Sequence, residues 1–161
     1  MVFAVDEDAE TEMAGSTDRG CAVIGGAYLE EKLTGAVRQM LVRDDAIFEK
    51  MFRPSGALGA FESKIRIAYM IGMITEPFMK DLMKLKEVRN RFAHRLYIKE
   101  FDHQEIKSLL NEFHIVNTGI RVEEMVDKKP CSTRRRFENA IGEASGILTF
   151  RSVPQEFTPI I

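Results

Sequence analysis

The run Arg89-Asn90-Arg91-Phe92-Ala93-His94 places an arginine, an asparagine and a histidine within six residues. Those types suit phosphodiester chemistry that needs no metal. An arginine clamps a phosphate through paired hydrogen bonds and stabilises the charge that grows on it. A histidine titrates near neutrality and can serve as general base or acid on a ribose 2′-hydroxyl or its leaving group. An asparagine can orient either one. On this reading Arg89, Asn90 and His94 are the candidate catalytic residues, with Glu87 assisting. The same residues also have a purely structural reading. Glu87 and Arg91 are spaced to pair across one helical turn, Arg89 can be tied to an acid of the core, and His94 can sit favourably at a helix C-terminus. From residue types alone both readings stay open.

The other chemistry-bearing residues are scattered. His94, His103 and His114 show neither HxH nor HExxH spacing, and Cys21 and Cys131 form no CxxC pair, so no metal site and no cofactor are expected. The two cysteines read as inert thiols in a reducing compartment. Neither a GxSxG elbow nor a Walker sequence is present. The one dense basic run, Arg134-Arg135-Arg136 beside Lys128 and Lys129, falls at the expected start of the last helix. It is either a phosphate-contacting patch for nucleic acid or a solvated helix start.

These residues need a scaffold, and the chain is long enough to bury a core as one domain: 161 residues, 45% hydrophobic and 30% charged. The formal charge of −2 gives no global attraction to nucleic acid or to an anionic membrane. No basic, apolar leader resembles a secretory signal, and no apolar run approaches the roughly 20 residues of a membrane helix. A cytoplasmic protein is expected.

Periodicity predicts an all-α fold, a single bundle of five to six helices. Residues 1–15, with Asp6, Glu7, Asp8, Glu10 and Glu12, read as a disordered acidic leader, 16–150 as the bundle, and 151–161 as an irregular tail. The first helix opens near Ser16, Thr17 or Asp18 and is apolar over a wide arc, which makes it central. It carries Gly20, Gly25, Gly26 and Gly35, whose cost of about 1 kcal/mol each relative to alanine points to close helix packing as compensation. Asp44 or Asp45 caps a short helix through Phe52, and Pro54 and Gly56 close it with a turn. A third helix starts near Gly59. Thr75-Glu76-Pro77 restarts the chain as a fourth, ending between His94 and Tyr97. Asp102 to Glu105 opens a fifth, and Ser132 or Thr133 caps the last. Residues 114–131 read as a loop or a short extended piece.

Arg89 continues the apolar stripe of Phe78, Leu82, Leu85 and Phe92, so it must meet a carboxylate, a cleft or a second chain. On an ideal helix it stands about 140° from His94. The two can meet only if the helix frays near Ala93, or if a second copy supplies the complementary group.

Arg89-Asn90 followed by Ala93-His94 resembles the Arg-polar-x-x-x-His signature of HEPN domains. That resemblance implies a helical bundle that dimerises and, in many members, a metal-independent endoribonuclease whose site joins the motifs of two chains. A broader resemblance runs from residue 17 to 113. Thr17-Asp18-Arg19-Gly20-Cys21-Ala22, Tyr28-Leu29-Glu30-Glu31, Leu58-Gly59-Ala60-Phe61 with Lys64-Ile65, and Lys86 through His94 followed by Phe101-Asp102 resemble the mannitol operon repressor family. It implies a small all-helical transcriptional regulator, expected as a homodimer. No helix-turn-helix with a basic recognition helix is legible, so a protein partner or RNA is expected in place of an operator gripped alone.

Overall fold

A computed structural model describes residues 6–117, 124–125 and 130–151 of the chain. Seven helices occur among them: α1 (Glu7–Gly15), α2 (Asp18–Met40), α3 (Asp45–Phe52), α4 (Phe61–Met70), α5 (Glu76–His94), α6 (Gln104–Leu110) and α7 (Thr133–Arg151). The described residues contain no strand, and no helix among them is long and apolar enough to cross a membrane.

The helix starts follow from capping chemistry. Thr17 accepts a hydrogen bond from the Gly20 amide, Asp44 from the Ile47 amide, and the Nδ1 of His103 from the Glu105 amide. Ser132 Oγ accepts from the Arg135 amide at 3.2 Å. At α5 the side chain of Thr75 makes no capping bond, and the helix relies on Pro77 in its first turn.

Helix α2 is the axis of the bundle. It packs against α1, α4, α5 and α7, burying Cys21, Ala22, Leu29, Leu33, Ala36 and Val37. Two of its glycines permit that. A Cβ on Gly25 would lie 2.9 Å from the Phe137 ring and 3.0 Å from Met13 Sδ, and one on Gly26 would strike Arg89. A Cβ on Gly35, by contrast, meets nothing within 4 Å, so close packing is not what keeps a glycine there. Three buried rings join the rest: Phe101 lies 4.9 Å from Phe92 of α5 and 5.1 Å from Phe137 of α7, centroid to centroid.

Two expectations change. The bundle has seven helices among the described residues where five or six were expected, and the extra one is α1, in the segment read as a disordered leader. The physical reason is tertiary. Ala9 and Met13, one turn apart, pack on the core, Asp6 pairs with Lys32 of α2 at 2.9 Å, and Arg134 of α7 donates to the Met13 carbonyl at 2.7 Å. The acids of the first turn suit the helix dipole. At the other end α7 runs on to Arg151, the first residue of the expected irregular tail. Residues 1–5 of the leader, 152–161 of the tail, and Lys128 and Lys129 lie outside the described residues.

Between α4 and α5, Glu62 holds Lys86 at 2.6 Å and Arg66 at 2.7 Å. Hydrogen bonds from Lys86 first, then Arg66, bring its carboxyl down from 4.5 to about 2. A depressed carboxyl contributes stability that is whole above pH 4.5 and fades as the pH falls toward 2. Chemical denaturation followed between pH 5 and 2 is expected to show a shallower loss of stability for Glu62→Gln than for the wild type.

Candidate functional site

Helix α5 carries the motif. Its buried side is Phe78, Leu82, Leu85, Val88 and Phe92, together with one carboxylate, Asp81. Arg89 follows Val88 and lies against α2, where the missing side chain of Gly26 makes room: a Cβ there would come within 2.5 Å of Arg89 Cγ and 2.7 Å of its Cβ. The guanidinium then reaches Glu30 of α2, Nη2 to Oε2, at 3.6 Å, and donates from Nη1 to Asn90 Oδ1 at 3.0 Å. The other oxygen of Glu30 accepts from Lys64 Nζ of α4 at 2.8 Å. Lys64 is buried and Glu30 nearly so, while the Arg89 side chain keeps 31% exposure. One carboxylate thus bridges two cations from two helices, leaving one positive charge in excess. Glu30 and Lys64 also form part of the wall of a groove of about 730 Å³ along α2, shared with Tyr28, Lys32, Arg38 and Phe48.

His94 stands elsewhere. It is exposed, the last residue of a helix that stays regular to its end, with the Arg95 amide donating to the Arg91 carbonyl at 2.9 Å. The helix does not fray at Ala93, so within one chain Arg89 and His94 remain on different faces. Glu87 pairs with Arg91 at 2.8 Å, as the structural reading expects. The end of α5 is held by a residue to which sequence reasoning gave no structural role. Arg19 of α2 donates to the carbonyl of Phe92, and also to those of Ile98 at 2.8 Å, Arg95 at 3.3 Å and Leu96 at 3.4 Å. They belong to the end of the helix and the turn after it, where intrahelical donors run out; of the four, the Arg95 carbonyl also accepts from the Ile98 amide at 3.1 Å. Its neighbour Asp18 accepts from the Phe101 amide at 2.9 Å. The Thr17-Asp18-Arg19 opening of α2 is therefore a clasp on the end of α5 and the loop beyond.

The three arginines of α7 do not share one exposed face. Arg134 is spent inside the chain: it pairs with Asp18 and Glu138, each at 2.9 Å, and donates to the carbonyls of Ser16 and Met13. Arg136 pairs with Glu124. Arg135 is the exposed one. Beneath Arg134 lies Cys21, fully buried, with burial and then the Glu138 charge pushing its thiol up to about 12. Such a thiol is not a nucleophile at neutral pH. Cys131 is half-buried. The histidines are dispersed: His103 caps α6, and His114 Nδ1 lies 3.2 Å from Asp81. Among the described residues no group of three or more His, Cys, Asp or Glu is arranged to hold a metal ion.

Comparison with known proteins adds a family. A model of the mannitol repressor family matches residues 10–136. A comparison with curated proteins finds no match. Among solved structures, the fold is similar to that of MtlR in the X-ray structure of the MtlR–HPr complex from Escherichia coli. The TM-score is 0.67 at 18% identity, over 89% of this chain and 99% of that one. It is also similar to YggD, a possible transcriptional regulator from Shigella flexneri, with a TM-score of 0.62 at 13% identity, over 94% and 97% of the two chains. At such identities the structures speak for the fold alone, whereas the family match spans most of the sequence. The chain belongs to the mannitol repressor family.

Proposed function

We propose that this chain is a transcriptional regulator that acts by binding a protein partner, and that HPr is a partner of the class it takes. The observation that carries the reading is the shared fold, over nearly the whole of both chains, with an MtlR crystallised in complex with HPr. The distribution of charge supports it. Arg134 is engaged by Asp18 and Glu138 and Arg136 by Glu124, so two of the three arginines of the basic run are already matched and unavailable to a phosphate backbone. Titrating the purified chain with HPr and following heat or sedimentation is expected to give a saturable complex, with a dissociation constant of about 10 μM or tighter. Absence of a complex at about ten times that concentration would remove the reading.

A second reading has its own support: the surplus positive charge at Arg89 and the exposed imidazole of His94. In a homodimer Arg89 of one copy and His94 of the other would form a metal-independent endoribonuclease of the HEPN type, with Asn90 orienting the guanidinium. Incubation with mixed RNA in EDTA decides it. Cleavage that His94→Ala abolishes favours the nuclease, and intact RNA favours the regulator.

A further inference from the structure

Helix α3 is the one helix among the described residues that buries none of its side chains. It is nevertheless amphipathic. Phe48 and Phe52 stack at 4.0 Å on the side turned to the bundle, and the Arg38 guanidinium sits 4.4 Å over the Phe48 ring. Arg38 also pairs with Asp45, and the Met51 carbonyl accepts from the Leu58 amide at 2.9 Å. The helix is thus fixed by one face and presents another. On that outer face stand Ile47 and Met51, one turn apart and 57% and 38% exposed, with Val42 80% exposed just ahead of them. Exposed apolar side chains in a contiguous ridge mark a contact surface more often than chance.

We infer that the Val42–Ile47–Met51 ridge docks an acidic segment of another protein that carries a bulky apolar anchor. Charge argues for the acid. Arg43 adjoins Val42, and Lys50 lies one turn from Ile47; neither makes an ion pair among the described residues. The acids nearby are already used or turned away. Asp44 caps the helix, Asp45 holds Arg38, and Glu49 projects from the opposite side of the ridge on helical spacing. The anchor has a place to go: a hollow of about 390 Å³ at the Val42 end of the ridge, lined by Val42, Gln39, Phe48, Arg43, the Arg38–Asp45 pair and the capping Asp44. A second copy of this chain fits less well. Antiparallel pairing through Ile47 and Met51 about a two-fold axis brings Lys50 of each copy to the same side, where like charges meet. This surface goes beyond the HPr reading and does not depend on it.

Fluorescence anisotropy of the full chain with a labelled helical peptide tests it. The peptide has Leu and Phe at helical spacing and Glu at the remaining positions, and its control has Lys in place of Glu. The acidic peptide is expected to bind and the basic one not. Arg43→Glu, Lys50→Glu and Ile47→Asp are each expected to weaken binding about tenfold or more. These residues are exposed, so the melting temperature should stay near the wild-type value, which separates lost binding from lost fold. Equal affinity for both peptides, or binding indifferent to all three variants, overturns the inference. Self-association that Ile47→Asp abolishes would assign the ridge to a second copy and overturn it too. So would binding to anionic phosphatidylglycerol vesicles with none to the peptide.

Discussion

Asp81→Ala is expected to cost about 3–5 kcal/mol of folding stability, read from urea denaturation. The carboxylate is fully buried on α5 and accepts from three successive backbone amides: His114 at 2.8 Å, Ile115 at 2.7 Å and Val116 at 3.1 Å. Alanine removes the acceptor from all three amides, and that of Val116, a fully buried residue, loses it away from water. Each hydrogen bond to a charged group is worth roughly 1.5–3 kcal/mol, and three on one carboxylate do not add in full. Asn keeps a single acceptor oxygen, so Asp81→Asn should fall between the wild type and Ala. For a domain stabilised by about 5–15 kcal/mol, the alanine variant would be marginal. The segment after α6 would detach first, and faster hydrogen exchange at residues 114–116 than elsewhere would show it.

Gly26→Ala is expected to destabilise the chain by about 1–3 kcal/mol, although alanine favours a helix over glycine by about 1 kcal/mol. The new methyl would press on the Cβ and Cγ of Arg89, atoms at the base of that side chain, so α2 and α5 must part. Gly35→Ala on the same helix is expected to act with the opposite sign, gaining about 0.5–1 kcal/mol, because its methyl enters open space. Thermal melts of the two variants side by side check both signs.

Those two glycines show where sequence reading stops. Both interrupt a helical pattern in the same way, and only the identity of the neighbour tells a tight crossing from an empty one. The helices themselves were legible because their signals are local. Thr17 and Asp44 cap where hydroxyl and carboxylate precede an apolar run, and Pro77 marks the start of α5. Helix α1 was not, because only two of its residues, Ala9 and Met13, reach the core, and its stability comes from Lys32 and Arg134 far along the chain. Asp81 and the structural role of Arg19 went unnoticed for a like reason. An acid inside an apolar stripe and a basic residue in a helix's first turn break local rules, and their partners lie 33 and 73 residues away. Arg89 was legible as an anomaly on the core stripe, but which carboxylate would meet it was not.

The answer to that anomaly is the centre of the account: Arg89 joins α5 to α2 through Glu30, across the gap that Gly26 leaves. A double-mutant cycle between Arg89→Ala and Glu30→Gln measures the join directly. The pair is half-buried and shares its carboxylate with Lys64, so a coupling of about 1 kcal/mol or more is expected, with each single variant less stable than the wild type. Effects that add to within about 0.3 kcal/mol, with Arg89→Ala as stable as the wild type, would contradict the account and return the guanidinium to the solvent, free to bind a phosphate.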